Sequence, residues 1–431
     1  MPDPVTRTVL PNGLAVQLKD IHTAPIISHW LWYRVGSRDE LPGRTGISHW
    51  VEHMQFKGTP TFPASVLDKA IAREGGMWNA FTYLDWTTYF ETLPAEKIDL
   101  AMRLEADRMV NSLYDHKEVE SERTVIISER EGSENEPLFR LGEAVQAAAF
   151  SAHPYQHEIV GSMLDLHSLQ RDDLYQHYQV YYRPNNAVLT MAGDFDTQEM
   201  LARINELYRD IPAGKPALHP AQPEPLSTAE KRLEVHGPGE TTYLHVAYHA
   251  PAAHEHDFYA FTVIDSLLAG PTSLNMFGGG GTSNKTSRLY RALVEKELAV
   301  SVHGGLQATI DPYFYDLIAT VRPGQTPDAV LAAIDGEIKR LQDGLVPETE
   351  IARAIKQARA LFAYGSENIT NQAFWLGHAE MFASYDWFVH YVDSMASVTP
   401  ADVQRIAQTY LRPTNRVVGA YLPSGEGGET E

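Results

Sequence analysis

Two histidines and a glutamate lie within one pentapeptide, His49-Trp50-Val51-Glu52-His53. On a helix, His49 and His53 are four residues apart and share one face, so their imidazoles can converge on a single ion. Zn²⁺ accepts histidine nitrogen readily, and a catalytic zinc ion typically has three protein ligands and one water. Glu52 lies beside the metal-facing side and could take a proton from that water. The alternative is a helix with two incidental histidines.

A third ligand is required, and it must be a carboxylate or a histidine because the chain contains no cysteine. Glu122 and Glu129 are seven residues apart, which is two turns along one face of a helix. Burying carboxylates beside the apolar run 125–127 is costly unless a cation or a metal pairs with them. A solvated acidic face is the alternative, most clearly for the neighbouring Glu118 and Glu120. These residues alone leave Glu122 and Glu129 both open as the ligand.

The elements that must position these side chains follow from apolar periodicity and turn signals. Strands are predicted over residues 13–19, 26–35, 77–83 and 87–93. Helices are predicted over residues 43–56, 64–74, 95–111 and 115–130. Strand pairs with intervening helices predict an α+β fold, in which helices cover a largely antiparallel sheet.

A duplicated pattern divides the chain. Residues 172–189 align with residues 401–418 at seven identical positions, and Gly-Ser-Glu-Asn occurs at both 132–135 and 365–368. A proline-rich stretch lies between the two copies, and 431 residues exceed the roughly 250–300 that one core usually reaches. We therefore predict two duplicated domains. Their limits are residues 1–211 for the metal-bearing domain, 212–228 for a linker and 229–431 for the homologous domain.

The charge and composition restrict the partners. Lys and Arg number 35 and Asp and Glu 56, so the net charge is −21, which argues against nucleic acid and anionic membranes. The charge suits cationic peptides, although simple solubility explains it equally well. The sequence contains no apolar run long enough to span a membrane and no signal-like N-terminus, so the expected location is cytoplasmic. A mature chain whose signal had been removed would have the same sequence.

At this point the sequence resembles a known family. Residues 49–59, followed by Asn79-Ala80-Phe81-Thr82 and then Glu122 and Glu129, resemble the pitrilysin/insulinase-type zinc metallopeptidases, which are inverzincins. Within them the chain is most similar to the short-chain branch that includes the mitochondrial processing peptidase and its bacterial relatives. The resemblance covers nearly the whole chain and implies two duplicated domains that form half of a clamshell.

The resemblance also implies roles for individual residues. It implies one Zn²⁺ per chain held by His49, His53 and Glu129, with Glu52 as the general base and Glu122 as a supporting second carboxylate. It further implies that Asn79, Ala80 and Phe81 form an edge strand to which a peptide substrate adds as an extra strand. An ordinary strand is the alternative interpretation of that segment.

The second half lacks this chemistry. In the Gly-Ser-Glu-Asn register, Glu122 corresponds to Ile355 and Glu129 to Phe362, and no second His-x-x-Glu-His occurs. Self-sufficient family members carry a substrate-contacting arginine and tyrosine here. In this chain Leu293 or Val294 stands in place of the arginine and Val300 in place of the tyrosine. We therefore expect a heterodimer with a homologous subunit that carries the pair, although a homodimer is possible.

Three hypotheses follow for the function. The first is a zinc endopeptidase that hydrolyses short or unfolded peptides inside an enclosed chamber. The second is a non-catalytic scaffold subunit of the same family, which the missing pair keeps open. The third is a nucleotide-binding protein, because residues 278–286 nearly match a phosphate-binding loop. Asn284 replaces the glycine that such a loop needs before its lysine, so the third is the weakest.

Overall fold

The computed structural model describes residues 5–217, 222–274 and 284–424. The glycine-rich stretch 278–283, which prompted the nucleotide hypothesis, lies outside the described residues. The β-strands are β1 Thr6–Val9, β2 Ala15–Asp20, β3 Ile26–Tyr33, β4 Met77–Thr82, β5 Thr87–Pro94, β6 Ala187–Gly193, β7 Lys231–Gly237, β8 Tyr243–His249, β9 Ala299–Leu306, β10 Phe314–Val321 and β11 Arg416–Pro423.

Helices occupy much of the remaining described chain. They are α1 Ile47–Met54, α2 Ala64–Arg73, α3 Ile98–Asn111, α4 His116–Glu134, α5 Pro137–Ala149, α6 Met163–Ser168, α7 Arg171–Tyr181, α8 Thr197–Tyr208, α9 Asp257–Leu268, α10 Pro327–Asp343, α11 Glu348–Tyr364, α12 Ile369–Phe382, α13 Tyr385–Ala396 and α14 Pro400–Tyr410. None of these helices is long and apolar enough to cross a bilayer, within the described part of the chain.

The strands form two sheets with matching topology. The first has the order β1-β2-β6-β3-β5-β4, and the second has the order β7-β11-β8-β10-β9. In each sheet one pair is parallel, β2 with β6 and β7 with β11, and the other pairs are antiparallel. The second sheet repeats the first without β1. The prediction of two duplicated α+β domains with largely antiparallel, helix-covered sheets is confirmed.

The repeated Tyr-x-Arg-Pro-x-Asn pattern has a physical reason. The Asn186 side chain donates hydrogen bonds to the carbonyls of Tyr181 and Arg34, which lie at the end of α7 and just after β3. Asn415 donates in the same way to Tyr410, at the end of α14, and to His249, at the end of β8. In both copies one amide therefore ties a helix end to the neighbouring strand of the sheet.

Two compact units make up the structure, and each takes a segment from the other half of the chain. Unit 1 contains Met1–Glu131, His157–Gln222 and Glu367–Tyr385, and unit 2 contains Gly132–Gln156, Pro223–Ser366 and Asp386–Glu431. Helix α12 thus belongs with the first sheet, where it packs on β3 and β6, and α5 packs on β11, β7 and β8 of the second. The domain limits predicted above follow chain order and stay a prediction.

Aromatic packing fixes α12 on the first sheet. The Phe374 ring meets the rings of Trp30 and Trp32 edge-on, with centroids 5.5 Å apart in each case. The Thr190 hydroxyl donates to the Ala373 carbonyl at 2.9 Å. A side chain at Gly377 would collide with the Trp32 indole, so only glycine permits this close approach.

A buried charged cluster joins α3 to the same sheet. Arg108 donates to Glu105 at 2.9 Å, lies 3.5 Å from Glu91 and stacks over Tyr89 at 4.3 Å. His29 contacts Glu91 at 3.0 Å, and burial lowers the pKa of His29 to about 4. Burial also raises the pKa values of both glutamates. Arg108 is therefore the cation that makes burial of these carboxyl groups tolerable.

Replacing Arg108 by methionine should destabilise the protein by about 3–5 kcal/mol, because removing one partner leaves buried carboxyl groups without their cation. Urea unfolding of the full chain measures this loss. Arg103→Met is the matched control on α3, since Arg103 is exposed and surface changes are usually within about 0.5 kcal/mol. Equal stability of the two variants would contradict the role given to Arg108.

Candidate metal centre

Helix α1 carries the pentapeptide and begins later than predicted. Gly46 precedes the helix with φ +85°, a left-handed conformation that favours glycine and prevents the helix from extending back to residue 43. Ile47, Trp50, Val51 and Met54 are buried in the core of unit 1. The histidine pair therefore lies on the opposite, partly exposed face.

Helix α4 supplies the two predicted carboxylates. Val119 and Ile126 are fully buried in the core, so the face that also bears Glu122 turns inwards. Glu129 lies one turn after Ile126, on the same face of α4, and its side chain is half exposed. Arg123 lies on α4 with its guanidinium 4.7 Å from the centre of the Trp50 ring, a cation–π contact between α4 and α1.

The structure brings three of the predicted ligand atoms together. The Nε2 atoms of His49 and His53 are 3.2 Å apart, and Glu129 Oε2 lies 3.7 Å from each. Ligand atoms at about 2.0–2.1 Å from a tetrahedral zinc ion lie roughly 3.3 Å from one another. The spacing and the nitrogen and oxygen donor set therefore fit a zinc ion.

Glu122 occupies a different position from Glu129. Its Oε1 atom lies 2.8 Å from His53 Nδ1, on the side of the imidazole that faces away from the three converging atoms, and its other oxygen pairs with Lys57. A carboxylate on Nδ1 fixes the ring orientation and leaves Nε2 free for a metal. His49 Nδ1 is buried and has no hydrogen-bond partner among the described residues.

Glu52 lies between the ligand face and the edge of the first sheet. The Thr82 hydroxyl, at the end of β4, donates to Glu52 Oε2 at 2.7 Å. Among the strands of the described chain, β4 pairs only with β5 and so forms one edge of its sheet. Asn79, Ala80 and Phe81 thus lie on an edge strand that leads directly to the Glu52 carboxylate.

The protonation preferences of the three residues on α1 differ. Burial, reinforced by the neighbouring His53, lowers the pKa of His49 to about 3, so its imidazole is neutral. Burial alone would lower the pKa of His53, but the hydrogen bond to Glu122 and the nearby carboxylates outweigh it and raise that pKa. Burial raises the pKa of Glu52 to about 6, against the effect of the Thr82 hydroxyl. A glutamate with such a pKa is suited to exchange protons near neutral pH.

The corresponding positions of unit 2 carry apolar side chains. Ile355 lies on α11, and Phe362 on the same helix packs against Phe388 and Tyr391 with ring centroids 4.9 and 5.0 Å away. Val294 ends a π-helical turn, and Val300 lies exposed on β9, the edge strand of the second sheet. None of these four side chains offers a hydrogen bond to a ligand.

Sequence reasoning missed several supporting residues. It named Thr82 only within a strand, and it gave no role to Lys57, Arg123 or Glu40, which contacts the start of α1. The sequence offers two weak signals. Thr82 lies near the end of a predicted strand, and Glu40 lies shortly before a predicted helix that begins with glycine. Neither signal indicates which residue Thr82 or Glu40 contacts, because these contacts depend on tertiary structure.

Comparisons with known proteins identify a peptidase family. Residues 15–162 match the family model described as Insulinase (Peptidase family M16), and residues 168–358 match the Peptidase M16 inactive domain. An uncharacterized zinc protease of Streptomyces coelicolor is 28% identical over 425 residues, which cover 96% of this chain and 89% of that protein.

Two further relatives extend the comparison. A probable mitochondrial-processing peptidase subunit beta of Arabidopsis thaliana is 26% identical, over 97% of this chain and 79% of that protein. The crystal structure of a protease from Helicobacter pylori superposes with a TM-score of 0.89 at 25% identity and covers 98% of this chain and all of that one. The pentapeptide 49–53 and both α4 carboxylates fall within the first matched region.

Proposed function

The chain belongs to the insulinase family of zinc metallopeptidases, peptidase family M16, and from that premise we propose that it is the metal-bearing chain of a zinc-dependent endopeptidase. One observation carries the proposal: His49, His53 and Glu129 converge within 3.7 Å, with the Glu52 carboxylate on the same helix. The donor set and its spacing fit one zinc ion per chain. The alternative within the family is a non-catalytic scaffold subunit, which would not need these four side chains close together.

The roles proposed for the residues follow from their positions. His49, His53 and Glu129 would hold the ion, and Glu122 would orient His53. When bound, zinc supplies a Lewis acid that polarises a peptide carbonyl and lowers the pKa of a water molecule. Glu52 would be placed to accept a proton from such a water molecule and to return it to the leaving amine.

The proposed substrates are short or unfolded peptides. An extended peptide can add to the outer edge of β4 along Asn79, Ala80 and Phe81 through main-chain hydrogen bonds, which make little demand on side-chain identity. The Thr82–Glu52 hydrogen bond places the base at the end of that edge. A folded protein without a free extended segment cannot pair in this way.

A purified sample of the chain tests the function directly. We expect close to one zinc per chain by elemental analysis and hydrolysis of unstructured peptides in the presence of a partner. A chelator should abolish that hydrolysis and added zinc should restore it. Stoichiometric zinc with no hydrolysis in any combination would instead favour the scaffold subunit.

The second half favours a two-protein enzyme. Leu293, Val294 and Val300 lack hydrogen-bond donors in their side chains, whereas the resemblance places a substrate-contacting arginine and tyrosine there. The resemblance also implies a chamber of four domains, and this chain supplies two. We propose a homologous partner subunit that carries the Arg/Tyr pair; a homodimer would close the chamber without supplying those donors.

Assayed alone, the chain should therefore cleave peptides about 10²–10³-fold more slowly than with its partner, which is the usual effect of losing such donors. The measurement is turnover of an unstructured peptide library by the chain alone and by the chain mixed with the candidate subunit. Full turnover by the chain alone, with no co-purifying protein, would show that other residues make these contacts.

A further inference from the structure

The start of α1 is held by a carboxylate that plays no part in the chemistry described above. Glu40 Oε2 accepts a hydrogen bond from the Gly46 amide and Glu40 Oε1 accepts one from the Ser48 amide, both at 2.8 Å. The Glu40 side chain is fully buried. It satisfies two of the amides that a helix leaves unpaired at its N-terminus. Burial raises the pKa of Glu40 to about 8, and the hydrogen bonds from the Ser48 and Gly46 amides act against this rise.

Residues 36–40, which include Glu40, also form hydrogen bonds to the β4–β5 hairpin that carries Thr82. The Ser37 amide donates to the Tyr83 carbonyl at 3.1 Å, and the Arg38 amide donates to the Leu84 carbonyl at 2.8 Å. The Ser48 hydroxyl donates back to the Gly36 carbonyl at 3.0 Å. Residues 36–40 therefore connect the first turn of α1, which bears His49, to the end of β4, from which Thr82 reaches Glu52.

On one side of the first turn of α1, side-chain packing is incomplete. A cavity of about 460 Å³ in unit 1 is lined by Glu40 and Ile47 together with Arg44 and His177. The first turn of α1 thus borders this cavity on one side, while Ile47 also belongs to the buried core. On the cavity side its position depends on the two hydrogen bonds that end at Glu40.

We infer that Glu40 is a positioning residue, whose carboxylate fixes the first turn of α1 and thereby the directions of His49 and Glu52 with respect to the end of β4. This inference rests on the proposed function. A displacement of about 1 Å in reacting groups can cost about 10²-fold in rate, so a distant hydrogen-bond pair can matter to the chemistry.

Glu40→Gln tests the inference, because it keeps the shape of the side chain but replaces one acceptor by a donor that faces an amide. We expect kcat to fall by about 10–100-fold while KM for a peptide changes by less than about twofold. We also expect the visible spectrum of the Co²⁺-substituted protein to change, and the amides of residues 46–54 to exchange hydrogen faster. Glu40→Ala should show the same changes more strongly; if it does not fold, Glu40→Gln still decides.

Glu91→Gln is the matched control, since Glu91 is a buried glutamate of unit 1 that makes no hydrogen bond to α1. It should lower thermal stability without altering the Co²⁺ spectrum or exchange in α1. Equal changes in both variants, or no change in Glu40→Gln, would overturn the inference. If the unmodified chain neither bound metal nor cleaved peptides, the proposed function would fail, and the exchange of α1 amides would still decide whether Glu40 holds the helix.

Discussion

Peptide hydrolysis should fall by about 10²–10⁴-fold when Glu52 is replaced by glutamine, whereas bound zinc should stay close to stoichiometric. Glutamine is nearly isosteric and can keep a hydrogen bond to the Thr82 hydroxyl, so the geometry around the helix persists. It cannot accept a proton from water. The predicted result is an intact metal centre without a base.

The measurement is turnover of an unstructured peptide, paired with elemental analysis of the same sample. Glu118→Gln is the control, because Glu118 is an exposed glutamate on α4 that lies away from the converging atoms. The control should retain normal turnover. Near-normal cleavage by Glu52→Gln would assign the proton transfer to another group.

Loss of zinc is the second large effect. His49→Ala, His53→Ala and Glu129→Ala should each release most of the ion, because each removes one of three converging donor atoms. Glu122→Ala should weaken zinc binding less, by about 10–100-fold, since its contact is to the far nitrogen of His53.

Titration against a competing chelator of known affinity separates these two classes, and Glu118→Ala should match the unmodified chain. The order of effects is the test. Stoichiometric zinc in Glu129→Ala, combined with loss of zinc in Glu122→Ala, would exchange the roles of the two carboxylates.

The sequence predicted the parts of the site whose geometry is local. Spacing of four within one helix places His49 and His53 together whatever the rest of the fold, and spacing of seven puts Glu122 and Glu129 on one face of α4. The choice between those two carboxylates came from the family resemblance. The roles of Thr82 and Glu40 were not predicted, because their contacts depend on the packing of a hairpin and a loop, which periodicity within one element cannot indicate.

In the fold, too, local features were predictable and features set by tertiary packing were not. The duplicated sheets were predictable because short sequence motifs indicate both the repeat and the paired strands. The position of α12 was not, because this helix is buried on nearly every side and has no single apolar face to indicate the sheet it covers. The start of α1 was misplaced because a left-handed Gly46 makes the helix begin at Ile47, four residues later than predicted.

The placement of α12 has a consequence for biosynthesis. Ribosomes deliver the chain from the N-terminus, so all strands of the first sheet emerge long before residues 369–382 that cover it. During that interval Trp30 and Trp32 lack their native cover, and exposed apolar surface of this kind promotes aggregation. The nascent first half therefore lacks this helix until residues 369–382 have been synthesised. A chain that stops before residue 369 would contain an incomplete first unit.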